Sequence, residues 1–455
     1  MRVGLFTLGC DKNTVDNEYL AGLLEERGCE VLAEPGLEQP IEAAVVLTCG
    51  FIADAKEQSI DAILELARAK TIHGNPRTLF VAGCLAQKHA AALFEQIPEI
   101  DGIVGVGQMR RLVDMILDAR MGRVNATAPK PFVEVRKSIP RKRLTSVPYA
   151  FLKIADGCNH ACSFCSIPQM KGPLRSVAPD ILLAEAAELL AGGVRELNLV
   201  AQDISVYGVD RWRRYRLPDL LNDLCALDGD FWVRCLYCYP GGVTDKLLRV
   251  MTEQPKIVPY LDIPFQHFDP GILERMGRPF GRVDAAELVA RIRKGLSGIA
   301  LRTTMLVGFP GESTRAHQRM IRSIRELRFD RLGAFIYSRE EDTPAADAPH
   351  QVRPSTKQRR WEAVMAAQME IAEELSCARI GRRLRVLLEG YDKETGRYVA
   401  RSASEAPEVD GSVFVEANGP MPVGEFVEVV ITAADVYDVL AKPTSDGRDK
   451  QETAV

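Results

Sequence analysis

Three cysteines, Cys158, Cys162 and Cys165, lie in the run GCNHACSFCSIP of residues 157–168 and set the narrowest limit on what this chain can be. Their CxxxCxxC spacing predicts an iron–sulfur cluster, because thiolates hold such clusters in proteins. An ordinary electron-transfer cluster uses four cysteines, so a loop with three leaves one iron open to a substrate or cofactor. The alternatives are three free thiols or a structural zinc site, although zinc prefers four ligands in paired short spacings.

A second set of three cysteines follows predicted strands in the first part of the chain. Residues 1–135 alternate short apolar runs with helical patterns, which predicts an open α/β domain with a parallel sheet. The predicted strands are 3–8, 43–48 and 78–82, and the predicted helices are 14–27 and 53–70. Cys10, Cys49 and Cys84 each come just after one of these strands. Because ligands bind at the carboxyl edge of such a sheet, the three thiols should converge on a second cluster. Taken singly, each could instead be a small buried residue.

The middle of the chain, near residues 145–345, repeats the strand and helix alternation. The predicted strands are 149–154, 197–200, 231–236, 260–263, 301–307 and 332–337. Six such units predict a partial (β/α)6 barrel, open on one side, with its chemistry at the carboxyl ends of the strands.

The pattern changes again after residue 350. A helix from about 355 to 378 is predicted to open with a capping box formed by Ser355 and Gln358. Strands then follow at 384–388, 398–402, 412–415 and 426–431, which predicts a small β-barrel. The predicted domains are 1–135, a basic linker at 136–144, the barrel with its connecting helix at 145–375, the small β-barrel at 379–442, and a disordered polar tail at 443–455.

Length and charge limit the class of protein further. The chain has 455 residues and a formal net charge of -4, so it has no overall electrostatic signature of a nucleic-acid binder. Two basic runs, 136–143 and 211–216, could contact RNA locally or could be solvated surface.

No apolar stretch is long enough to span a membrane, and the first residues do not read as a signal peptide, so we expect a cytoplasmic protein. Eleven cysteines in such a protein favour metal or redox chemistry over disulfides.

The cysteine loop and the predicted partial barrel resemble the radical S-adenosylmethionine (SAM) superfamily. The resemblance implies that the loop binds a four-iron four-sulfur (4Fe-4S) cluster, whose open iron chelates SAM. It also implies that one electron splits SAM into methionine and a 5′-deoxyadenosyl radical. The candidate SAM contacts are Phe164, Gln202, Gly308, Gly311 and Glu312. For Gln202 and for the GFPGE turn at 308–312, a purely structural role is the alternative, and His267 is either a structural hydrogen bonder or a catalyst.

The order of the three predicted domains resembles the methylthiotransferases, which replace an unactivated C–H bond with C–S–CH₃. The resemblance implies two 4Fe-4S clusters: the CxxxCxxC cluster makes the radical, and the cluster on Cys10, Cys49 and Cys84 carries the sulfur. A second SAM donates the methyl group. The C-terminal barrel resembles a TRAM domain, a module that usually binds RNA or, in some relatives, a protein substrate.

Four segments look like the RimO-type branch of this family, which modifies an aspartate of ribosomal protein S twelve. They are 8–16 (LGCDKNTVD), 49–56 (CGFIADAK), 201–210 (AQDISVYGVD) and 260–267 (YLDIPFQH). The strongest discriminator is Gln202-Asp203, because the alternative MiaB-type branch, which modifies a tRNA adenosine, usually has Gln-Asn there. The chain departs from the family pattern at Leu47, Val177 and Asp342, and it retains all six cysteines.

The resemblance also implies the partners. They are ribosomal protein S twelve, free or in the small subunit, an electron donor such as flavodoxin or ferredoxin, a sulfur donor, and RNA at a local contact; a membrane is not among them. A non-catalytic iron–sulfur module that docks on RNA or ribosomes is a further alternative, and it would bind two clusters without cleaving SAM.

Overall fold

The computed structural model of the chain describes residues 1–50, 53–118, 122–128, 139–278 and 284–444. Most of the predicted tail and part of the predicted basic linker, including Arg136 and Lys137, lie outside these ranges. The chain divides into two compact units. The first unit contains Met1–Ser146, Ala155–Val177 and Ser338–Ala346, and the second contains Val147–Ile154, Ala178–Tyr337 and the described residues from Asp347 onward. The predicted domain boundaries stay a prediction.

Helices and strands alternate along most of the chain. Up to residue 176 the elements are β1 (Arg2–Thr7), α1 (Asp11–Glu26), β2 (Glu30–Ala33), β3 (Ala43–Thr48), α2 (Ala53–His73), β4 (Thr78–Gly83), α3 (Cys84–Gln96), β5 (Gly102–Val104), α4 (Met109–Leu117), β6 (Val124–Asn125), β7 (Tyr149–Lys153), β8 (Ala155–Asp156), α5 (Ile167–Lys171) and β9 (Arg175–Ser176). Up to residue 336 they are α6 (Pro179–Ala191), β10 (Glu196–Val200), α7 (Val209–Trp212), α8 (Leu217–Cys225), β11 (Trp232–Cys235), α9 (Asp245–Glu253), β12 (Ile257–Asp262), α10 (Pro270–Arg275), α11 (Ala285–Gly295), β13 (Ala300–Val307), α12 (Thr314–Leu327) and β14 (Arg331–Ile336), with a 3₁₀ turn at Pro240–Gly242. The remaining elements are α13 (Pro354–Cys377), β15 (Arg383–Asp392), β16 (Arg397–Ser402), β17 (Val413–Val415), β18 (Phe426–Ala434) and β19 (Val439–Pro443).

The first unit is built on a six-stranded parallel sheet in the order β2-β1-β3-β4-β5-β6. All six residues of β3 are buried, as expected for a central strand whose two faces are both covered. Two separate apolar clusters supply that cover, one on each side of the alternating side chains: Val45 belongs to one and Val46 to the other. The predicted α/β domain with a parallel sheet is therefore confirmed.

Helix α1 begins at Asp11, three residues before its predicted start. Asp11, Lys12 and Asn13 are polar but buried, so the apolar periodicity that predicts a helix could not reveal them. Strands β2, β5 and β6 were missed for a related reason. They have two to four residues each, which is too short for a strand pattern to develop.

The second unit contains another six-stranded parallel sheet, in the order β14-β13-β12-β11-β10-β7. The sheet has β7 and β14 as its two edges among the described strands, which confirms the open (β/α)6 arrangement. Each predicted strand of this series matches an observed one within about three residues at each end. This agreement arises because buried parallel strands carry long apolar runs that are easy to locate.

The second unit also contains a closed five-stranded barrel, in the order β15-β16-β17-β19-β18. The predicted small barrel is confirmed, although its last strand, β19, was missed. The predicted capping box is wrong. Helix α13 has Arg353 as its N-cap without a side-chain hydrogen bond, and the Gln358 amide donates to Glu362 instead. Pro354 at the first turn sets the backbone angle that starts this helix.

Buried charges connect the parallel sheet of the second unit to its barrel. Glu196 on β10 accepts hydrogen bonds from Arg234 on β11 at 2.6 Å and from Arg401 on β16 at 2.7 Å. Glu405, just after β16, pairs with Arg331 on β14. The barrel is thus fixed to the sheet by ion pairs from which water is excluded. Across the described residues, no helix combines the length and the apolar character that crossing a bilayer would require.

Candidate functional site

The first candidate site lies at the carboxyl edge of the sheet in the first unit. Strands β1, β3 and β4 are neighbours, and their registers pair Thr7 with Leu47 and Thr48 with Gly83. The three strands therefore end together, and Cys10, Cys49 and Cys84 follow them directly. Cys10 is the N-cap residue of α1 and Cys84 is the first residue of α3. Helix N-termini favour negative charge, so this edge suits thiolates.

Two glycines bring the three cysteines close to one another. Gly9 has a φ of +97°, and a Cβ added there would lie 2.6 Å from the Cβ of Cys49 and 3.0 Å from its Sγ. A Cβ added at Gly50 would lie 3.1 Å from the backbone carbon of Cys84. Cys10 thus follows a residue that touches Cys49, and Cys49 precedes a residue that touches Cys84. The strand ends that carry the three cysteines therefore lie side by side, and the convergence of the three thiols on a second cluster remains a prediction.

The three thiols differ in exposure, and Cys84 is the buried one. Burial, with a smaller effect of the Cys10 and Cys49 thiols, raises the pKa of Cys84 to about 12, although Lys171 opposes the change. Without a metal Cys84 is therefore a neutral thiol at physiological pH. Coordination to iron would release its proton, because a metal-bound thiol ionises.

The CxxxCxxC loop belongs to the same unit and is held by its own backbone. Cys158 N–H donates to Gly172 O at 3.0 Å, and Cys165 N–H donates to Cys162 O at 3.1 Å. His160 N–H donates to the Cys158 sulfur at 3.4 Å. A backbone N–H directed at a sulfur stabilises a thiolate, and hydrogen bonds of this kind tune an iron–sulfur centre. All three thiols of the loop are partly exposed.

Each set of thiols fits an iron–sulfur cluster in its donor chemistry. All eleven cysteines lie in the described residues and none forms a disulfide, so no disulfide competes for the six candidates. Each set supplies three thiols, the number that leaves one iron of a four-iron cluster open. Among the residues that the structure describes, no three His, Cys, Asp or Glu side chains form a site for a single metal ion. The ligand roles of the six cysteines remain predictions.

The other candidate SAM contacts divide between the two units. Phe164 lies in the cysteine loop of the first unit, whereas Gln202 follows β10 in the second. The Oε1 atom of Gln202 is buried and has no hydrogen-bond partner among the described residues. Its neighbour Asp203 has a structural role, because it accepts hydrogen bonds from Ser205 N–H at 2.9 Å and from Tyr239 N–H at 3.2 Å. A SAM contact by Phe164 or Gln202 remains a prediction.

The turn at residues 308–312 is closed by its own glutamate. Glu312 is 4 % exposed and accepts a hydrogen bond from Gly308 N–H. Arg360 of α13 donates to the Glu312 carbonyl at 2.9 Å. Gly308 and Gly311 have φ values of +74° and +78°, where any residue other than glycine is strained. These features give Gly308, Gly311 and Glu312 a structural role, and a direct SAM contact for them remains a prediction.

His267 is a buried, neutral histidine. Its Nδ1 accepts hydrogen bonds from Phe268 N–H at 2.9 Å and from Asp269 N–H at 2.8 Å, so the proton resides on Nε2. Burial lowers the pKa of His267 to about 4. The Nε2 atom is buried and has no hydrogen-bond partner among the described residues, so both predicted roles of His267 stay predictions.

The structure adds residues that the sequence did not single out. The Lys171 Nζ lies 3.5 Å from Asp16 and 3.9 Å from Asp156, with only 4 % of its side chain exposed. Nothing in the local sequence marks a buried lysine, because its carboxylate partners are distant in the chain.

Residues 338–346 of the first unit pack on the cysteine loop. Ala345 N–H donates to Ser163 O at 2.8 Å, and Gln169 donates to Asp342 O at 2.6 Å. Asp342 has a φ of +63°, a region that favours glycine and that aspartate tolerates better than most residues. Of the other departures, Leu47 packs in an apolar cluster of the first unit.

The open parallel sheet, the CxxxCxxC loop and the closed C-terminal barrel define the class of protein. Residues 152–324 match the radical SAM superfamily, residues 380–443 match the TRAM domain, and residues 2–105 match an uncharacterized protein family, UPF0004. The chain is a radical SAM enzyme with a TRAM domain, as predicted.

The relatives narrow the class further. The chain is 43% identical to the ribosomal protein uS12 methylthiotransferase RimO of Desulforudis audaxviator, over 98% of this chain and 97% of that protein. It is 44% identical to the protein of the same name from an Anaeromyxobacter species, over 96% of this chain and 92% of that protein. The chain belongs to the RimO family of ribosomal protein methylthiotransferases.

Solved structures support the fold. A radical SAM methyltransferase, TsrM from Kitasatospora setae, superposes with a TM-score of 0.55 at 13% identity, covering 83% of this chain and 90% of that one. A cobalamin-dependent SAM radical enzyme, OxsB, gives a TM-score of 0.52 at 12% identity, covering 81% and 56%. Membership of the radical SAM superfamily implies SAM and one 4Fe-4S cluster as cofactors.

Proposed function

We propose that this protein installs a methylthio group on the β-carbon of an aspartate in ribosomal protein S twelve, with one SAM as methyl donor and one as radical source. The observation that carries the proposal is the presence of both cysteine sets in one compact unit, in a chain whose relatives along nearly its full length are named for this activity. Sulfur transfer needs a sulfur-carrying site beside the radical-forming one, and the second set of thiols would provide it.

The chain's own residues would divide the work. Cys158, Cys162 and Cys165 would hold the cluster that binds SAM, and Cys10, Cys49 and Cys84 would hold a second cluster. When bound, these groups supply the radical and sulfur chemistry, which no amino-acid side chain can perform on an unactivated carbon.

Gln202 would help to bind SAM. A buried acceptor without a donor costs free energy, so its Oε1 would accept a hydrogen bond from the ligand. Replacement of Gln202 by Leu should therefore weaken SAM binding, and iron content and the fold should be unchanged.

The decisive experiment uses the reconstituted protein with SAM, a reductant and a peptide that carries the target aspartate. The peptide should gain about 46 Da, the mass of the added methylthio group less one hydrogen. A variant with Cys10, Cys49 and Cys84 all replaced by Ala should still cleave SAM but should leave the peptide mass unchanged. Cys377→Ala is the matched control, because Cys377 is exposed and belongs to neither set. SAM cleavage by the intact protein without any mass gain would exclude this substrate.

A second candidate is methylthiolation of a tRNA adenosine, which the TRAM match and the exposed arginines of the 211–216 segment favour. Arg213 and Arg214 are exposed, and Tyr215 beside them is 53% exposed. Digests of treated tRNA would contain thiomethylated adenosine if this activity were present, and unmodified tRNA beside a modified peptide would exclude it.

The partners of the reaction follow from the proposed activity. We expect an electron donor such as flavodoxin or ferredoxin, a sulfur donor, and ribosomal protein S twelve either free or in the small subunit. We expect the reaction to take place in the cytoplasm, and RNA contact, if used, to involve the 211–216 segment.

A further inference from the structure

Lys171 is a cation enclosed in the first unit. It is the last residue of α5, directly after the CxxxCxxC loop, and its side chain is 4 % exposed. Its ammonium group lies between the carboxylates of Asp16 and Asp156, at 3.5 Å and 3.9 Å. Taking an ammonium out of water is costly even when it is paired, so this position is not explained by stability alone.

The ammonium group lies beside the strand-end cysteines. Ile167 and Met170 of α5 pack against Cys84 and Val106, which places α5 against the start of α3. Lys171 lines a small cavity together with Asn13, Asp16 and Gly83, the residue just before Cys84. The volume of that cavity, about 30 Å³, suits a water molecule and excludes SAM or a peptide. Lys171 is therefore enclosed at the sheet edge that carries the strand-end cysteines, beside Gly83.

Several ionisable groups surround the ammonium group of Lys171. The ionisable groups around it include Asp16 and Asp156 and, on the strand-end side, Cys84 and Cys10. Its positive charge thus acts on the strand-end set of thiols. Because these groups are enclosed, salt would screen the interaction only weakly.

We propose that Lys171 raises the reduction potential of the cluster held by Cys10, Cys49 and Cys84. The inference rests on the proposed function, since it requires the second cluster. Reduction adds one electron, and hence one negative charge, to a group already surrounded by thiolates; no bond breaks. A fixed cation nearby stabilises the reduced form, and net charge is one of the factors that set cluster potentials.

The two carboxylates beside Lys171 allow the direction of the shift in reduction potential to be tested with two opposite variants. With Lys171 replaced by Gln, one positive charge is lost while the carboxylates of Asp16 and Asp156 remain, and the potential should fall. With Asp16 replaced by Asn, one negative charge is lost while the ammonium remains, and the potential should rise. A purely structural ion pair would instead make both variants lose stability without opposite shifts in potential.

The experiment measures the midpoint potential by electron paramagnetic resonance during titration with dithionite. All variants are made in a chain with Cys158, Cys162 and Cys165 replaced by Ala, so that only the strand-end cluster can bind, and iron content is measured beside the potential. For Lys171→Gln we expect at least a tenfold change in the ratio of reduced to oxidised cluster at a fixed potential, which is about 59 mV in the negative direction. Lys171→Arg should keep the parental value.

Lys70→Gln is the matched control. Lys70 pairs with Asp101 at 2.5 Å, and Asp101 precedes β5, so the pair lies at the opposite edge of the same sheet. Its removal should leave the potential unchanged.

Two results would overturn the inference: no shift in Lys171→Gln with iron retained, or no positive shift in Asp16→Asn. If Lys171→Gln binds no iron, the reduction potential of Asp16→Asn alone tests the inference. Either result would leave the proposed function intact, because the cluster would still be present. If the parent chain bound no iron at all on the strand-end thiols, the proposed function and this inference would both fall.

Discussion

Glu405 offers a direct test of the buried charges in the second unit. It is 1% exposed and accepts hydrogen bonds from Arg331 Nη2 at 2.9 Å, Arg379 Nη1 at 2.6 Å and Ser402 N–H at 3.0 Å. Burial on its own would raise the pKa of Glu405, but the two guanidinium groups outweigh it and hold this pKa at about 2. The charged carboxylate is therefore the form that stabilises the fold.

The size of this stabilisation follows from the difference between the pKa of Glu405 in the folded chain and its pKa in the unfolded chain. A drop of the Glu405 pKa from 4.5 to about 2 corresponds to about 3 kcal/mol. Because the folded pKa is the lower one, this contribution is complete above about pH 5 and is lost as the pH falls from about 4.5 to about 2. At pH 3 about 1 kcal/mol of it should remain.

The perturbation is Glu405→Gln, which keeps the shape of the side chain and removes its charge. We expect a loss of about 3 kcal/mol in the free energy of unfolding at pH 7 and of about 1 kcal/mol at pH 3. Urea unfolding followed by the fluorescence of Trp232 is the assay, in a chain with Trp212 and Trp361 replaced by Phe. Trp232 on β11 contacts Phe426 on β18, with ring centroids 4.6 Å apart, so it reports on the unit that contains Glu405.

The control is Glu416→Gln, which breaks a half-exposed pair with Arg397 at 3.0 Å. An exposed pair of this kind should cost less than about 1 kcal/mol at any pH. The reasoning would be refuted if Glu405→Gln lost the same free energy at pH 3 and pH 7, because the effect would then not depend on the charge. A loss at pH 7 no larger than that of Glu416→Gln would refute it as well.

Three further predictions use other features of the fold. Gly9→Ala should lower the bound iron by about half, because the added Cβ would meet Cys49 at 2.6 Å, whereas Gly28→Ala, with a similar positive φ but no atom within 4 Å, should keep it. In a nuclear magnetic resonance titration, His267 should stay neutral down to about pH 4, so that its stabilising contribution is lost only as the pH falls from about 6.5 to about 4. Cys238, whose pKa burial raises well above its ordinary value, should not react with a thiol reagent until the chain unfolds.

Local patterns made much of the fold predictable. Strand β3 was predicted with its observed bounds, since six consecutive apolar or small residues leave little ambiguity. The positions of Cys10, Cys49 and Cys84 after strands were readable for the same reason. Local patterns also misled where two explanations compete, as at Ser355, where a capping sequence is present but Pro354 starts the helix.

Contacts between distant segments could not be read in this way. The hydrogen bonds that Glu312 makes with its own turn and with α13 show its structural role, which the sequence left as one of two alternatives. Gln202 and Asp203 are neighbours in the chain, yet Gln202 has a buried oxygen without a hydrogen-bond partner in the described part of the chain, whereas Asp203 accepts a hydrogen bond from Ser205 within a turn.

The sequence by itself determined the class of enzyme, the two sets of three thiols and the strand ends that carry one of them, because cysteine spacing and apolar runs act over a few residues. Only the tertiary structure decided what surrounds those thiols. The contact of Gly9 with Cys49, the burial of Cys84 and the position of Lys171 between Asp16 and Asp156 depend on how distant segments pack. Electrostatic environment is a property of that packing, since burial and the distance between charges set its strength, and neither is encoded locally.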